Sequence, residues 1–564
     1  MNKSLSISIY GFTAVFFALF FVFPIWHTVQ EAFVTSEGTV TFAYFAELFR
    51  NPIYVEGLVN SFYMGLFTTV LALLIALPLA LISNTWQFRG KEILNSLILV
   101  PLILPPFVGA LGVRQFLGQS GVLNTFLIDL GLMEAAAPFD WLGEGRLAGI
   151  VLMNALHLYP IAYLNISAAL ANLDPAMEEA AENLGCTGIR RLFRVTFPLI
   201  MPGLFAGATI IFIWAFTELG VPLVFDFDRV TSVQIFEGLK DLSGNPFPYA
   251  LVVVMLVATV LFYLTGKWFF GRDNFSGSGR ASTGKTLRPA SPLTSAFCAG
   301  TFSLVTAIAI LPHLGVILLS LSHDWYGTLL PTALTGQHYE DALGHPLTIH
   351  SIANSLKYAS LATGLDILLG IGIAYVVVRT RLPGRQLLDA MAMLPLAVPG
   401  LVLAFGYLAM TREGKPFDFL ILGEDPILIL VIAYAVRRLP YVVRSAAAGF
   451  QQTSVSLEEA AQNLGSTPLR ALCKITLPLI TANLIAGGLL AFSFAMLEVS
   501  DSLILAEQQQ HFPITKAMYA LISSLGTGPN LASALGVWAM VFLAITITGA
   551  GLILGKKLGA LFRV

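Results

Sequence analysis

Ionisable residues inside strongly apolar sequence are where this chain could do chemistry. Glu218 follows Ala215-Phe216-Thr217, Glu498 follows Ala495-Met496-Leu497, and Asp501 comes one helical turn after Glu498. Arg437, Arg438 and Arg444 cluster in another apolar stretch, and Asp366 stands alone in a third. A charge in hydrocarbon is costly unless it is paired, hydrated or turned towards a cavity. These groups therefore read either as interhelical pairs, with the arginines able to snorkel, or as the lining of a solute path. Carboxylates would suit iron or an ammonium group. Arginines would suit a phosphonate or a ferric ion accompanied by an anion, and the sequence leaves the choice open.

Catalytic patterns are missing from the sequence. No HExxH, nucleophile with its base, or aspartate pair at helical spacing stands out, and the histidines form no cluster. Cys186 and Cys473 lie in two polar islands, and Cys298 lies in an apolar run, so the three cysteines give neither a disulfide framework nor an assigned metal site. Gly279-Arg280-Ala281-Ser282-Thr283-Gly284-Lys285-Thr286 satisfies the phosphate-loop pattern. A working loop of that kind needs a buried strand before it and a helix after it. Here a polar Gly/Ser/Arg stretch precedes it and Pro289 and Pro292 follow, so it reads as linker composition. The expectation is a chain that is not an enzyme and holds no cofactor of its own.

The elements that must position these residues are membrane helices. Of the 564 residues, 56% are hydrophobic and 11% charged, and the mean hydropathy is +0.79. That balance excludes a basic nucleic-acid binder and an acidic disordered chain. Apolar segments near 8–29, 58–83, 93–117, 147–171, 201–224 and 248–270, then 296–320, 353–378, 388–410, 426–448, 480–500 and 531–555, are long enough to span a bilayer. The expected fold is an all-α polytopic membrane protein with twelve transmembrane helices. Pro101, Pro105, Pro395 and Pro399 predict bent ones. Lys3, Arg89/Lys91, Arg190/Arg191/Arg194, the 267–288 connector, Arg379/Arg381/Arg385, Arg470/Lys474 and Lys556/Lys557/Arg563 fall on one side, and alternate loops are richer in acid. By the positive-inside rule both termini face the cytoplasm, with the first helix a retained anchor.

The chain also repeats itself. Glu179-Ala180-Ala181, Gly185 and Pro198 return as Glu459-Ala460-Ala461, Gly465 and Pro478, each 280 residues on. Upstream, Asn60-Ser61, Gly90, Pro101 and Pro105 return 294 residues on as Asn354-Ser355, Gly384, Pro395 and Pro399. The 14-residue difference between those offsets predicts a longer outward loop around Phe139-Asp140-Trp141 in the first half. Two homologous halves in the same orientation, 1–271 and 293–564, would then be joined by a cytoplasmic linker at 272–292. Each repeated island predicts a short helix, with Asp174-Pro175 or Ser456-Leu457 at its start and a glycine turn at Gly185 or Gly465. A bulky residue at either glycine should meet a steric or backbone conflict.

Glu179-Ala180-Ala181 to Gly185 to Val195-Thr196-Phe197-Pro198, and Glu459-Ala460-Ala461 to Gly465 to Ile475-Thr476-Leu477-Pro478, resemble the EAA motif of membrane permease subunits of binding-protein-dependent ABC importers. The resemblance covers nearly the whole chain, as two permease halves fused. It implies that Glu179, Ala180, Ala181, Gly185, Glu459, Ala460, Ala461 and Gly465 form coupling helices docking on two ABC ATPase subunits. It further implies ATP and Mg on those partners, a periplasmic solute-binding protein, and a multi-pass location in the bacterial inner membrane. Leu156-His157-Leu158-Tyr159-Pro160 and Phe216-Thr217-Glu218-Leu219-Gly220 resemble the ferric-iron and 2-aminoethylphosphonate branch. Ferric iron is the first expectation for the solute, with 2-aminoethylphosphonate or thiamine as alternatives and an ion-coupled carrier as the alternative class. Glu218, Glu498, Asp501, Arg437 and Arg438 are the candidate solute-path residues.

Overall fold

The computed structural model describes residues 3–34, 38–142, 146–239, 247–270, 287–421 and 425–554. The phosphate-loop lookalike at 279–286 and the basic tail at Lys556, Lys557 and Arg563 lie outside them. The described chain is helical apart from two short pairings, Trp86–Gln87 parallel to Arg288–Pro289 and Ser322–Asp324 antiparallel to Ala333–Leu334.

Nine helices among the described residues are long and apolar enough to cross a membrane. They include two of 34 residues, Pro52–Thr85 and Pro346–Arg379, called the long helices below. Two further pairs are sharply broken: Lys91–Ile103 with Pro106–Asp129, and Arg385–Leu396 with Gly400–Thr411, each bent by 98°. The bends have a local cause. Pro105 and Pro399 take extended ψ values of 132° and 135°, so each chain leaves its 3-10 turn straightened and a new helix starts on a different axis. The twelfth expected crossing corresponds to the helix Ile427–Gln452. It has the length, but Arg437, Arg438 and Arg444 take it out of the uniformly apolar class. By length and composition the count among the described residues is therefore at most eleven.

The sequence repeat is reproduced element by element. The long helices start and end 294 residues apart, and the island helices Pro175–Asn183 and Val455–Asn463 are 280 apart. The helices that follow them, Phe197–Phe216 and Leu477–Met496, keep that second offset. Both islands join these helices through a five-residue π-turn, Leu192–Thr196 or Leu472–Thr476. The extra residues of the first half, expected as a loop, include the helix Val122–Asp129. Asn124 organises them: its amide donates to Gln119 O at 2.9 Å and Phe139 O at 2.8 Å, and its Oδ1 accepts from the Trp141 indole.

Contacts group the chain into two compact units. One gathers Met1–Val55, Gln234–Leu256 and Gly336–Leu561, so the first helix packs with the second repeat. There Tyr375, Ala446, Phe450 and Ile480 form a buried cluster. The other runs over Glu56–Val233 and Val257–Thr335, where Phe302 and Cys298 of the helix Pro292–Leu321 are buried with Ala72, Ala76 and Tyr159. Each unit contains a close helix crossing at a repeated glycine. A Cβ on Gly112 would stand 2.1 Å from Pro312 O, and one on Gly406 would stand 2.7 Å from Pro24 O.

Candidate functional site

Each island helix starts on a side-chain cap. Asp174 accepts from Ala176 N at 3.0 Å. In the second island the cap is Ser454, accepting from Ser456 N at 3.3 Å, and not the expected Ser456, which lies inside the helix. The repeat offset carries Asp174 onto Ser454, so the alignment held the right answer and local composition pointed two residues late.

Both helices end in the same Schellman closure. Cys186 N bonds Ala181 O at 2.9 Å and Gly185 N bonds Glu182 O at 2.9 Å; Ser466 N and Gly465 N repeat this with Ala461 O and Gln462 O at 3.0 and 2.9 Å. Gly185 and Gly465 have φ of +77° and +88°, the left-handed region. A Cβ at either would meet nothing within 4 Å, so the expected steric conflict is absent and the requirement is one of backbone conformation alone.

The structure divides the motif into an anchoring side and an exposed side. Glu179, Ala180, Glu459 and Ala460 are exposed, Ala181 is buried and Ala461 half-buried. The preceding glutamates, Glu178 and Glu458, are buried and accept from Thr196 Oγ1 at 3.0 Å and Thr476 Oγ1 at 2.9 Å. Each threonine closes its π-turn, so the glutamate fixes the island to the base of the next helix. Arg379 reinforces the second island, with Nε 3.0 Å from Glu458 Oε1 and Nη2 donating to Thr453 O at 2.8 Å. In the first island Glu182 instead holds Arg191, and Arg288 at 3.3 Å. Leu184 and Leu464, just before the turn glycines, are 87% and 90% exposed. From the sequence, Glu178 and Glu458 read with Glu179 and Glu459 only as acids suited to the start of the helix dipole, and neither leucine stands out. The recurring Glu and Thr 18 residues apart in both islands was the available signal.

Glu218 and Glu498 lie beyond the ends of their helices, in breaks before the short helices Gly220–Val224 and Ser500–Leu505. Their places match and their chemistry does not. Glu218 is half-buried, and its Oε1 accepts from Gly220 N at 3.0 Å and Val221 N at 3.2 Å as a cap. Glu498 is 3% exposed, accepting from Arg437 Nη1 at 2.6 Å on one oxygen and from Arg438 on the other. Asp501, fully buried, lies 3.6 Å from Arg437. The residues 280 positions earlier than Arg437, Arg438 and Asp501 are His157, Leu158 and Val221. His157 Nδ1 sits 2.8 Å from Pro101 O. Asp366 is fully buried and neither carboxyl oxygen has a hydrogen-bond partner among the described residues; the basic charge that acts on it is Arg438, without an ion-pair contact. Arg444 is apart from this cluster, 3.5 Å from Asp389 and largely exposed. No group of three or more His, Cys, Asp or Glu among the described residues could hold a metal ion.

A protruding helix with a small-residue centre, an exposed leucine and a rigid attachment to a membrane helix can receive a partner and pass its displacement on. A buried, charge-balanced cluster beside a helix break can fix that break. Comparison with known proteins gives these shapes a family. The protein is similar to a ferric transport system permease protein of Actinobacillus pleuropneumoniae, 27% identical over 508 residues, covering 87% of this chain and 68% of the relative. It is similar to a protein named as a ferric transport system permease of Haemophilus influenzae, 28% identical, covering 83% and 71%. A protein named as a 2-aminoethylphosphonate transport system permease of Salmonella typhimurium is 25% identical over 42% of this chain and 82% of its own. Residues 68–272 and 366–557 each match the binding-protein-dependent transport system inner membrane component, and the chain belongs to that family, as a permease subunit of an ABC-type solute importer carrying two such domains.

Proposed function

We propose that the chain forms the membrane path of a ferric-iron importer, in which halves 1–271 and 293–564, joined by 272–292, make twelve crossings with both termini in the cytoplasm. The observation that carries the coupling role is the duplicated island, with Glu179-Ala180, Leu184 and Gly185, or Glu459-Ala460, Leu464 and Gly465, exposed on a helix pinned through Glu178 or Glu458 to the next membrane helix. Two ATPase copies would each receive one island, binding ATP and Mg themselves, while a periplasmic binding protein delivers solute from outside. Closure of the ATPases would rock the membrane helices between outward and inward access. The Glu–Thr contact at each π-turn would tie the island to this motion.

The iron assignment draws on the ferric names of relatives that cover more than four-fifths of the chain. Glu218, Glu498, Asp501, Arg437 and Arg438 are proposed to border the path or control its opening. The deciding experiment reconstitutes the complex with its ATPase and binding protein in proteoliposomes and measures ATP-driven uptake of ferric iron, 2-aminoethylphosphonate and thiamine separately. Uptake of iron alone is expected. Uptake of the phosphonate without iron would replace the assignment, and uptake driven by an ion gradient without ATP would reject the coupling role.

A further inference from the structure

The Asn-Ser pair at 60–61, repeated at 354–355, makes the same connection in both halves. Each pair begins eight residues into a long helix. Asn60 Nδ2 donates to Arg229 O at 2.9 Å, and Ser61 Oγ accepts from Thr231 N at 2.9 Å, at the first residue of the helix Thr231–Gly238. Asn354 Nδ2 donates to Gln510 O at 2.8 Å and Phe512 O at 3.2 Å. Ser355 Oγ accepts from Ile514 N at 2.8 Å, at the first residue of the helix Ile514–Ile522. One residue further on, the hydroxyls of Ser232 and Thr515 donate back to the backbone carbonyls of Glu218 and Glu498, at 2.6 Å in both halves.

These carbonyls lie just past a helix end, where the hydroxyls of Ser232 and Thr515 supply a donor, joined at Glu498 O by the Ser502 hydroxyl of the next short helix. Ser61, Ser232, Ser355 and Thr515 are buried to within 1%. Pairing offsets the cost of burying them so deeply, because an unpaired polar group is costly in apolar surroundings. The result is an unbroken polar line from long helix, to the start of the following short helix, to the break in the helix that rises from the island. The island end of that same helix is held by Glu178 and Thr196, or Glu458 and Thr476.

We propose that these two struts are the far end of the coupling path: Asn60, Ser61 and Ser232, and Asn354, Ser355 and Thr515, are positioning residues that make each helix break move with its long helix when the island is displaced. The proposal rests on the islands being the ATPase-docking elements. It adds a mechanical role for residues distant from the island in sequence and not among the candidate path residues.

The two halves supply their own control, since serine serves at 232 and threonine at 515. In the full complex with ATPase and binding protein, Ser232→Thr and Thr515→Ser should transport within about twofold of wild type, whereas Ser232→Ala, Ser61→Ala and Ser355→Ala should each lose about fivefold or more, the effect of one mispaired buried group, and Thr515→Val should lose less, because Ser502 still donates to Glu498 O. The decisive readout is the ratio of solute transported to ATP hydrolysed. It should fall in the hydroxyl-less variants while ATPase co-purification stays normal, which separates failure of the strut from failure of docking at the islands. Unchanged coupling in all four hydroxyl-less variants would overturn the proposal. So would an equal loss in the Ser/Thr exchanges. Amide exchange at Thr231 and Ile514 in the unmodified complex needs no variant: both should stay protected at rest and with ATP bound, and fast exchange in either state would also overturn it.

Discussion

Glu178 and Glu458 show how much depends on one helical step. Sequence reading picked out Glu179 and Glu459, because the motif begins there, yet the buried anchors are the residues just before them. Composition could not separate two adjacent glutamates. The phase of the helix against Thr196 and Thr476 separates them, and that phase is set by the cap and the π-turn. Removing Glu458 strands Arg379, whose side chain is 5% exposed, and breaking a buried pair costs about 3–5 kcal/mol. Thermal unfolding in detergent should therefore place Glu458→Ala well below the unmodified protein, and an unchanged midpoint would contradict the anchoring account. At Gly185 and Gly465 the surrounding space is open and only the positive φ discriminates. Gly→Ala should cost about 1 kcal/mol at either site and Gly→Asn less, measured the same way. Val at either site should act through the backbone without a clash.

At the scale of elements, helices and their punctuation were legible where chemistry acts locally. Proline marked the two 98° bends, and apolar runs marked the spans. The helix Val122–Asp129 was not legible, because its apolar face and polar neighbours read equally well as a loop until Asn124 is seen to bind Phe139 and Trp141. The islands illustrate the same limit. Their repetition leads one to expect a docking element, but which face would dock depends on how the helix is held. With Glu178 or Glu458 turned inward, Leu184 and Leu464 are the apolar groups left on the outside. An exposed apolar anchor is the kind of residue that dominates an interface, with losses above about 2 kcal/mol on truncation. Leu184→Asp and Leu464→Asp should each weaken ATPase association more than tenfold in a quantitative pull-down, with the permease still folded. Changing Cys473, exposed and outside the Schellman turn, should leave association intact. Equal effects at all three positions would remove the assigned docking face.

Over the whole molecule, the repeat is faithful in its elements and unequal in its charges. A sequence offset predicted Glu218 and Glu498 to be equivalent, and in backbone position they are. Their surroundings depart because the second half has Arg437, Arg438 and Asp501 where the first has His157, Leu158 and Val221. No rule acting on either glutamate alone could have shown this, since the partners come from a different helix. The consequence is a difference in how each tolerates neutralisation. Glu218 works as a cap through an oxygen that accepts two backbone N–H groups, and a glutamine amide keeps that oxygen. Glu498 works through its charge, with one oxygen on each guanidinium, and glutamine would leave two nearly buried cations without the carboxylate they share. Glu218→Gln should therefore keep its cap and lower ATP-driven uptake less than Glu498→Gln does. Glu498→Gln should lower uptake at least tenfold, by the several kcal/mol of an uncompensated buried charge. A double-mutant cycle with Arg437→Met tests the cause, because adding the arginine change should recover part of the Glu498→Gln loss. Equal sensitivity of the two glutamates, with no coupling to Arg437, would return them to symmetric roles along the path and leave the ionic cluster without a part in transport.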